Sequence, residues 1–294
     1  LRLMPPHPKA TILGIAQDGG VPQPGCNCAT CAYYAEEKQQ LSPTSIAVID
    51  GDELHLFDVT RDLARQLLFI PRESQRITDV WLTHGHLGHI DGLGLFGKEA
   101  MGLVGIRLHV SETMLKLIQN TPRWNSMLEQ GVFLPIPFDS DVTVKISSNL
   151  SIKPVSVPHR DEFSDTHAFL IKGPDRTLLH LPDHDRWKTT LAHVGMGSIR
   201  DWFRQLQADV VLLDGTFWSD EEIPRQSNVP HPPISETISL LGPRRSEDID
   251  IRFIHFNHTN PVLYKGNDAG DLDLKGWALA SEGEVIELSM VTTE

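Results

Sequence analysis

The sequence predicts an α/β fold in which two β-sheets pack against each other and helices cover their outer faces. Three observations lead to this prediction. Strand-length runs of apolar or alternating residues crowd the first 60 residues and recur between residues 142 and 181. Segments of helical periodicity are interspersed among them. No repeat, low-complexity tract or long linker divides the 294 residues, so we expect residues 1–294 to form one domain.

The first half of the chain contains five predicted strands, at residues 10–16, 45–49, 53–59, 77–82 and 106–110. Asp50-Gly51-Asp52 joins the second and third and suits a hairpin turn. Helices are predicted at 32–39, 61–70, 92–100 and 111–119, the last with Ser111 as its N-cap. Residues 123–138 are harder to assign. They form either an insertion near the active site or ordinary core, with Trp124, Met127 and Phe133 as apolar contacts.

The second half reads as a second sheet with further helices. Predicted strands lie at 142–146, 150–157, 168–171, 177–181, 210–213, 251–256 and 285–288, and predicted helices at 199–206 and 234–241. The first four strands are each bounded by Gly, Pro, Asp or Asn, which mark strand ends. The element order is that of a two-sheet sandwich with outer helices.

Charge and hydropathy narrow the function classes. The net charge is −13 and the pI is about 5.5, which disfavours binding to a nucleic-acid backbone. No run approaches 18 apolar residues, so we expect no transmembrane helix. Residue 1 is Leu, which leaves open a targeting segment removed from the N-terminus.

All three cysteines lie within six residues, Cys26-Asn27-Cys28-Ala29-Thr30-Cys31. A disulfide scaffold would spread its cysteines along the chain, so a metal cluster in a reducing compartment, the cytoplasm, is the better interpretation. Zinc takes four ligands in such a site, and three thiolates leave one position for a further Cys or His. His258 is our candidate. It lies three residues after His255, and residues three apart on a tight turn can face different ways.

A second cluster of metal-competent residues follows the predicted strand 77–82. His84, His86 and His89 fall within six residues, in a loop at a strand end, where imidazole nitrogens can share a metal ion. Four other apolar strands each carry a metal-competent side chain just beyond their ends: His159, Asp183, Asp214 and His255. Any one of these would be an ordinary cap or turn residue. Their repetition favours a metal site.

These residues resemble the ligand set of the metallo-β-lactamase superfamily, whose fold is a four-layer αββα sandwich with a metal site at one sheet edge. Its signature is a His-x-His-x-Asp-His loop followed downstream by His, Asp and His. His84, His86 and His89 match the loop, and His159, Asp183 and His255 match the later positions.

Other phrases resemble one branch of that superfamily, the B proteins of pyrroloquinoline quinone (PQQ) biosynthesis. They are Leu13-Gly14, Gly19-Gly20 and Pro22-Gln23 before the cysteines, the segment from Asp214 to Glu222, and the segment from Ile254 to Pro261. The match runs from about residue 10 to 289. In phosphodiesterase relatives a Cys-x-Cys-x-x-Cys segment plus a His holds a structural zinc, which implies that role for Cys26, Cys28, Cys31 and His258.

The chain departs from the superfamily signature at Gly88, where hydrolytic members carry an Asp that binds the second metal. The resemblance implies a first metal held by His84, His86, His159 and Asp183. The second would be held by His89, His255 and the shared Asp183, with water completing the shell. Asp91 either replaces the missing Asp or is a carboxylate at a helix start.

Three further residues are candidates for supporting or catalytic roles. Asp58 either orients the histidine loop or caps the helix that follows. Asp214 is expected to orient a ligand or to position a water molecule. His231 lies on the proline-rich segment Val229-Pro230-His231-Pro232-Pro233. It either donates a proton to a leaving group, as the resemblance implies, or faces solvent.

The leading functional prediction is a metal-dependent hydrolase in which a metal-bound hydroxide attacks a small ester, lactone or phosphodiester. Zinc is the expected metal in both sites, with iron or manganese as alternatives in the active site. One alternative is an iron-dependent oxidative biosynthetic enzyme like the PQQ B proteins. The other is a non-catalytic small-molecule binding protein. We expect a small-molecule substrate and neither a nucleic acid nor a membrane as partner. The sequence leaves open whether the chain forms a homodimer.

Overall fold

The computed structural model describes residues 7–223, 229–264 and 272–290. Fourteen strands in these residues form two seven-stranded sheets. The first sheet has the order β14 (Val285–Glu287), β1 (Lys9–Gly14), β2 (Ser45–Asp50), β3 (Glu53–Phe57), β4 (Ile77–Trp81), β5 (Ile106–Val110), β6 (Phe133–Pro137). The second has the order β13 (Ala278–Leu279), β12 (Asp250–Ile254), β11 (Val210–Asp214), β10 (Thr177–Leu181), β9 (Thr166–Lys172), β8 (Ser151–Val157), β7 (Val144–Lys145).

Eight α-helices accompany the sheets in the described residues. They are α1 (Ala29–Glu36), α2 (Leu63–Gln66), α3 (Leu87–Ile90), α4 (Glu112–Asn120), α5 (Pro122–Glu129), α6 (Trp187–His193), α7 (Ile199–Gln205) and α8 (Ile234–Leu241). Among the helices of these residues, none has the length and apolar character needed to cross a bilayer.

The sheets pack face to face because strand residues alternate between two apolar layers. Phe57 and Trp81 of the first sheet point inward and contact Phe169 of the second, with ring centroids 5.4 and 5.7 Å apart. Their neighbours Leu56 and Val80 point outward and join a separate cluster with residues of α4 and α5. Helices α6, α7 and α8 pack on the second sheet. The predicted αββα sandwich is confirmed.

Strand direction brings the ends of several strands to one edge. In the first sheet β4 runs parallel to β3. In the second, β10, β11 and β12 are mutually parallel. Strand β8 has the same direction, because it is antiparallel to β9, which is antiparallel to β10. Within each sheet, residues that follow these strands therefore share one edge, as expected for a binding site of an α/β protein.

Several predicted elements differ from the structure. The helix predicted at 92–100 is wrong: α3 ends at Ile90 and a 3-10 helix, Asp91–Phe96, follows. Glycines at 92, 94 and 97 make a regular α-helix unfavourable there. Helix α1 begins three residues before the predicted start, with Cys28 at its N-cap. The prediction missed α6.

Residues 123–138, for which an insertion was left open, form most of α5 and the edge strand β6. Trp124, Met127 and Phe133 are buried and belong to the cluster under the outer face of the first sheet. Their role in the structure is therefore that of core residues.

Candidate metal centre

The six predicted ligands of the active site lie together at the shared sheet edge. His84, His86 and His89 follow β4, and the other three follow β8, β10 and β12. All six side chains are buried: His84, His86, His89, His159, Asp183 and His255. Buried polar side chains need partners, so the arrangement of their nitrogen and oxygen atoms defines the site.

Three imidazoles form the first ligand group. One ring nitrogen each of His84, His86 and His159 lies within 4.8 Å of the others. Nε2 of His84 is 2.7 Å from Nδ1 of His86, and Nε2 of His159 is 3.7 Å from Oδ1 of Asp183. This matches the set predicted for the first metal.

The second ligand group is centred on the other oxygen of Asp183. Oδ2 of Asp183 lies 3.1 Å from Nε2 of His89 and 3.4 Å from Nε2 of His255. A carboxylate that the sequence analysis missed joins them, since Oδ1 of Asp18 is 3.5 Å from Nε2 of His89. Asp91 is exposed at the start of the 3-10 helix.

Asp58 orients two of the histidines. Its buried carboxylate accepts a hydrogen bond from Nδ1 of His89 at 2.6 Å and from the hydroxyl of Thr83 at 2.8 Å. The Thr83 oxygen in turn lies 2.9 Å from Nδ1 of His84. With both Nδ1 atoms engaged, the Nε2 atoms face the site. Asp58 itself has φ of +62°, a strained conformation of the kind found at functional sites.

A similar network orients His255, the ligand that follows β12. The Thr216 hydroxyl donates to Oδ1 of Asp214 at 2.7 Å and lies 2.8 Å from Nδ1 of His255, so it can accept that proton. Oδ2 of Asp214 lies 2.7 Å from Nδ1 of His231. His231 is only 2% exposed, which contradicts the solvent-facing alternative.

Electrostatics place the centre in a state that suits a divalent cation. Burial favours the neutral acid, but His255 and His89 hold the pKa of Asp183 well below its usual range. Burial also lowers the pKa of both His84 and His255. Although burial opposes it, Asp58 and Asp183 raise the pKa of His89. Metal ligands must be an ionised carboxylate and neutral imidazoles, so the His89 proton is the one that metal binding would displace.

Orphaned polar atoms test whether these residues fit a metal. Nε2 of His159 and Nε2 of His255 are buried and have no hydrogen-bond partner in the described residues. Leaving such atoms unpaired costs about 1–3 kcal/mol each. Both belong to the ligand groups, so bound metal would satisfy them.

The cysteine cluster also has the dimensions of a metal site. Nδ1 of His258 lies 3.5 Å from Sγ of Cys26 and 3.4 Å from Sγ of Cys28, and Cys31 completes the group within 4.8 Å. A tetrahedron with Zn–S of about 2.3 Å and Zn–N of about 2.0 Å has S–N edges of about 3.5 Å. Burial raises the pKa of Cys31 to about 12, so its thiolate needs a bound cation.

The loop after His159 borders the centre and was missed in the sequence analysis. Oε1 of Glu162 is 3.2 Å from Nε2 of His86. Phe163 is 56% exposed, with its ring centroid 6.1 Å from that of His86. The Nε atom of Arg160 is buried without a hydrogen-bond partner in the described residues. No motif marks these positions, since only the fold turns this loop toward the histidines.

Known proteins resemble this chain over most of its length. A family model described as a beta-lactamase superfamily domain matches residues 55–274. The chain is 27% identical over 315 residues to the coenzyme PQQ synthesis protein B of Methylobacterium radiotolerans, covering 95% of this chain and 100% of that protein. It is 29% identical over 307 residues to the protein of the same name from Xanthomonas oryzae pv. oryzae, covering 94% and 99%.

Among solved structures, Zn2+-bound PqqB from Methylobacterium extorquens superposes with a TM-score of 0.74 at 24% identity. The match covers 95% of this chain and 99% of that one. At this identity the likeness concerns the fold, and it extends over nearly the whole chain.

Proposed function

Since the chain belongs to the metallo-β-lactamase superfamily, we propose that it is a metal-dependent hydrolase of a small ester, lactone or phosphodiester. The observation that carries the proposal is that Nε2 of His159 and Nε2 of His255, both buried without a hydrogen bond, lie on either side of the buried Asp183 carboxylate. A purely structural cluster would pair these nitrogen atoms within the protein. Each nitrogen belongs to a group of potential metal ligands, which favours bound cations instead.

The residues divide into two metal positions. His84, His86, His159 and Asp183 would hold the first, and His89, His255 and the shared Asp183 the second. A bound divalent metal lowers the pKa of water to about 7 and polarises the substrate oxygen. Zinc fits nitrogen and carboxylate ligands of this kind, as do iron and manganese.

His231 is the residue placed to serve the leaving group. Its Nδ1 is engaged by Asp214 and lies 3.7 Å from Oδ1 of Asp183, so the ring borders the first ligand group. Proton transfer to substrate therefore falls to Nε2, with Asp214 holding the ring in orientation. The buried pair of His231 and Asp214 resembles the histidine–aspartate pair of other hydrolases, in which the aspartate orients the histidine.

The border of the centre favours an anionic substrate. The Arg160 guanidinium lies 3.7 Å from the carboxylate of Glu162, too far for a hydrogen bond. Arg160 directly follows the ligand His159 in the chain, so its side chain starts beside the centre. Arginine binds phosphate and carboxylate oxygens in a planar fork, so a phosphodiester fits better than a neutral lactone. Phe163 offers an adjacent apolar contact.

The test is hydrolysis of a panel of small phosphodiesters, carboxylic esters and lactones by protein loaded with zinc, manganese or iron. We expect turnover of an anionic member and its loss, by more than about 100-fold, in His86→Ala and in His159→Ala. His7→Ala is the matched control, because His7 precedes β1 and pairs with Ser289 at the opposite sheet edge. Activity unchanged in both ligand variants would sink the proposal.

A second candidate function rests on the relatives named coenzyme PQQ synthesis protein B, which match 94–95% of this chain. The chain would then serve an oxidative step of cofactor synthesis with iron in the histidine centre, a ligand set that also suits non-haem iron. Iron retained through anaerobic purification, together with oxygen consumption on adding substrate, would favour this function over hydrolysis.

We further propose a small molecule as the partner and the cytoplasm as the compartment. All three cysteines are free thiols in the structure and form one cluster with His258. Thiols of this kind persist in a reducing environment.

A further inference from the structure

Gly88 leaves the second metal position without the carboxylate that the superfamily signature supplies, and another residue occupies the vacant space. A Cβ atom built on Gly88 would lie 2.1 Å from Oδ1 and 2.6 Å from Cα of Asp18. We infer that Asp18 is a ligand of the second metal position, together with His89, His255 and Asp183. This inference rests on the proposed function, because it requires a metal-loaded centre.

Short distances link the four side chains, and donor atoms of Asp18, His89 and His255 all lie within 4.8 Å of one another. Oδ1 of Asp18 is 3.5 Å from Nε2 of His89, which is 3.1 Å from Oδ2 of Asp183, and this oxygen is 3.4 Å from Nε2 of His255. Metal–ligand distances of about 2.0–2.2 Å give tetrahedral edges of about 3.3–3.6 Å. One ion could therefore contact all four donors after small shifts. His255 also brings a buried Nε2 that has no hydrogen-bond partner in the described residues.

The local chain explains how Asp18 reaches this place. Ala16 pairs with Phe256, the residue after His255, and the amide of Gln17 donates to the Phe256 carbonyl at 2.8 Å. The loop after β1 is thus attached directly to the loop that carries His255. The amide of Gly20 then donates to the Gln17 carbonyl at 2.7 Å and closes a turn with Asp18 at its second position.

Two further contacts hold that turn. Gly20 adopts φ of +68°, which favours glycine at this position. The guanidinium of Arg61 donates to the carbonyl oxygen of Asp18. The side chain of Asp18 is 37% exposed, so the second metal position would open to solvent and substrate on this side.

Asp18 and a side chain at position 88 exclude each other. The short approach of 2.6 Å involves the Asp18 backbone, so a new side chain at Gly88 requires the whole turn to move. Gly88 is therefore more than a missing ligand, because it makes room for the carboxylate that replaces it. Asp91, the alternative from the sequence, is exposed and three residues farther along.

The experiment counts metal ions per chain, by elemental analysis and equilibrium dialysis against zinc, on folded full-length protein. We expect three per wild-type chain and two in Asp18→Asn, whose second active-site ion should bind weaker by more than about 10–100-fold. Asp91→Asn is the matched control and should keep three. The double variant Asp18→Gly with Gly88→Asp should return the count to three, because it restores the signature carboxylate.

Each outcome separates this inference from the proposed function. Asp18→Asn that binds three ions with wild-type affinity overturns the inference, as does a wild-type chain that takes up only two. Both results leave a hydrolase with one active-site metal standing. A wild-type chain with three ions that hydrolyses nothing in the panel overturns the proposed function and leaves Asp18 as a ligand.

Discussion

The two ligand clusters of this protein differ in how the chain assembles them. The histidine centre takes its six predicted ligands from residues that follow four strands, which belong to two sheets. The cysteine cluster takes three of its four ligands from six consecutive residues and only His258 from elsewhere. One cluster therefore depends on tertiary structure and the other largely on local spacing.

The clusters also differ in what surrounds them. Carboxylates and hydroxyls of Asp58, Thr83, Asp214 and Thr216, all buried, orient the histidine centre. In the cysteine cluster two sulfur atoms accept hydrogen bonds from backbone amides: Sγ of Cys31 from Gln23 at 3.3 Å and Sγ of Cys26 from Cys28 at 3.5 Å. Side-chain partners fix ring orientation and tautomer, which catalysis requires. Backbone amides stabilise thiolates, which is sufficient for a structural ion.

The largest effect on rate should come from His231. In His231→Ala we expect kcat to fall by about 10²–10⁴-fold, because general acid catalysis contributes that much. The loss should be smaller for a substrate whose leaving group is acidic enough to depart without a proton. The measurement is kcat of both proteins on two esters that differ only in the acidity of the leaving group. Equal losses on both substrates would show that His231 supports the centre without donating a proton.

An intermediate effect is expected from Asp58. Asp58→Asn keeps the shape but removes the charge that orients His89, so activity and active-site metal affinity should fall by about 10–100-fold. Asp62→Asn is the control, since Asp62 stands at the N-cap of α2 without a side-chain capping bond. If the two variants lose the same activity, the Asp58 carboxylate has no specific role in orienting the histidine centre.

The smallest effect on rate is expected from the cysteine cluster. Cys28→Ser should lose one metal ion per chain and several degrees of Tm, at about 2–4 °C per kcal/mol, because metal binding contributes to folding. Below that Tm its kcat should stay within roughly twofold of wild type, since separate sites act additively. His258→Ala should lose the same ion. An unchanged metal count in both variants would contradict the assignment.

Much of the fold could be predicted because strand-length apolar runs are a local signal. The strands at Ser45–Asp50, Ile77–Trp81 and Ile106–Val110 lie within one residue of their predicted bounds. Helix ends were less predictable, and the helix predicted at 92–100 is an example. Close packing decides the structure there, since a Cβ on Gly92 would lie 2.0 Å from the Thr60 carbonyl oxygen.

Sequence by itself determined which residues could act as ligands. A histidine or aspartate just after an apolar strand lies at a sheet edge whatever the sheet order, and the cysteine spacing is contained in one turn. Tertiary structure alone decided which of them meet. Asp18, Asp91 and Glu162 are all acidic residues near the histidine loop in sequence or in space, yet only Asp18 lies against Gly88 and His89. The pairing of Ala16 with Phe256 places it there, and that contact joins segments 240 residues apart in the sequence.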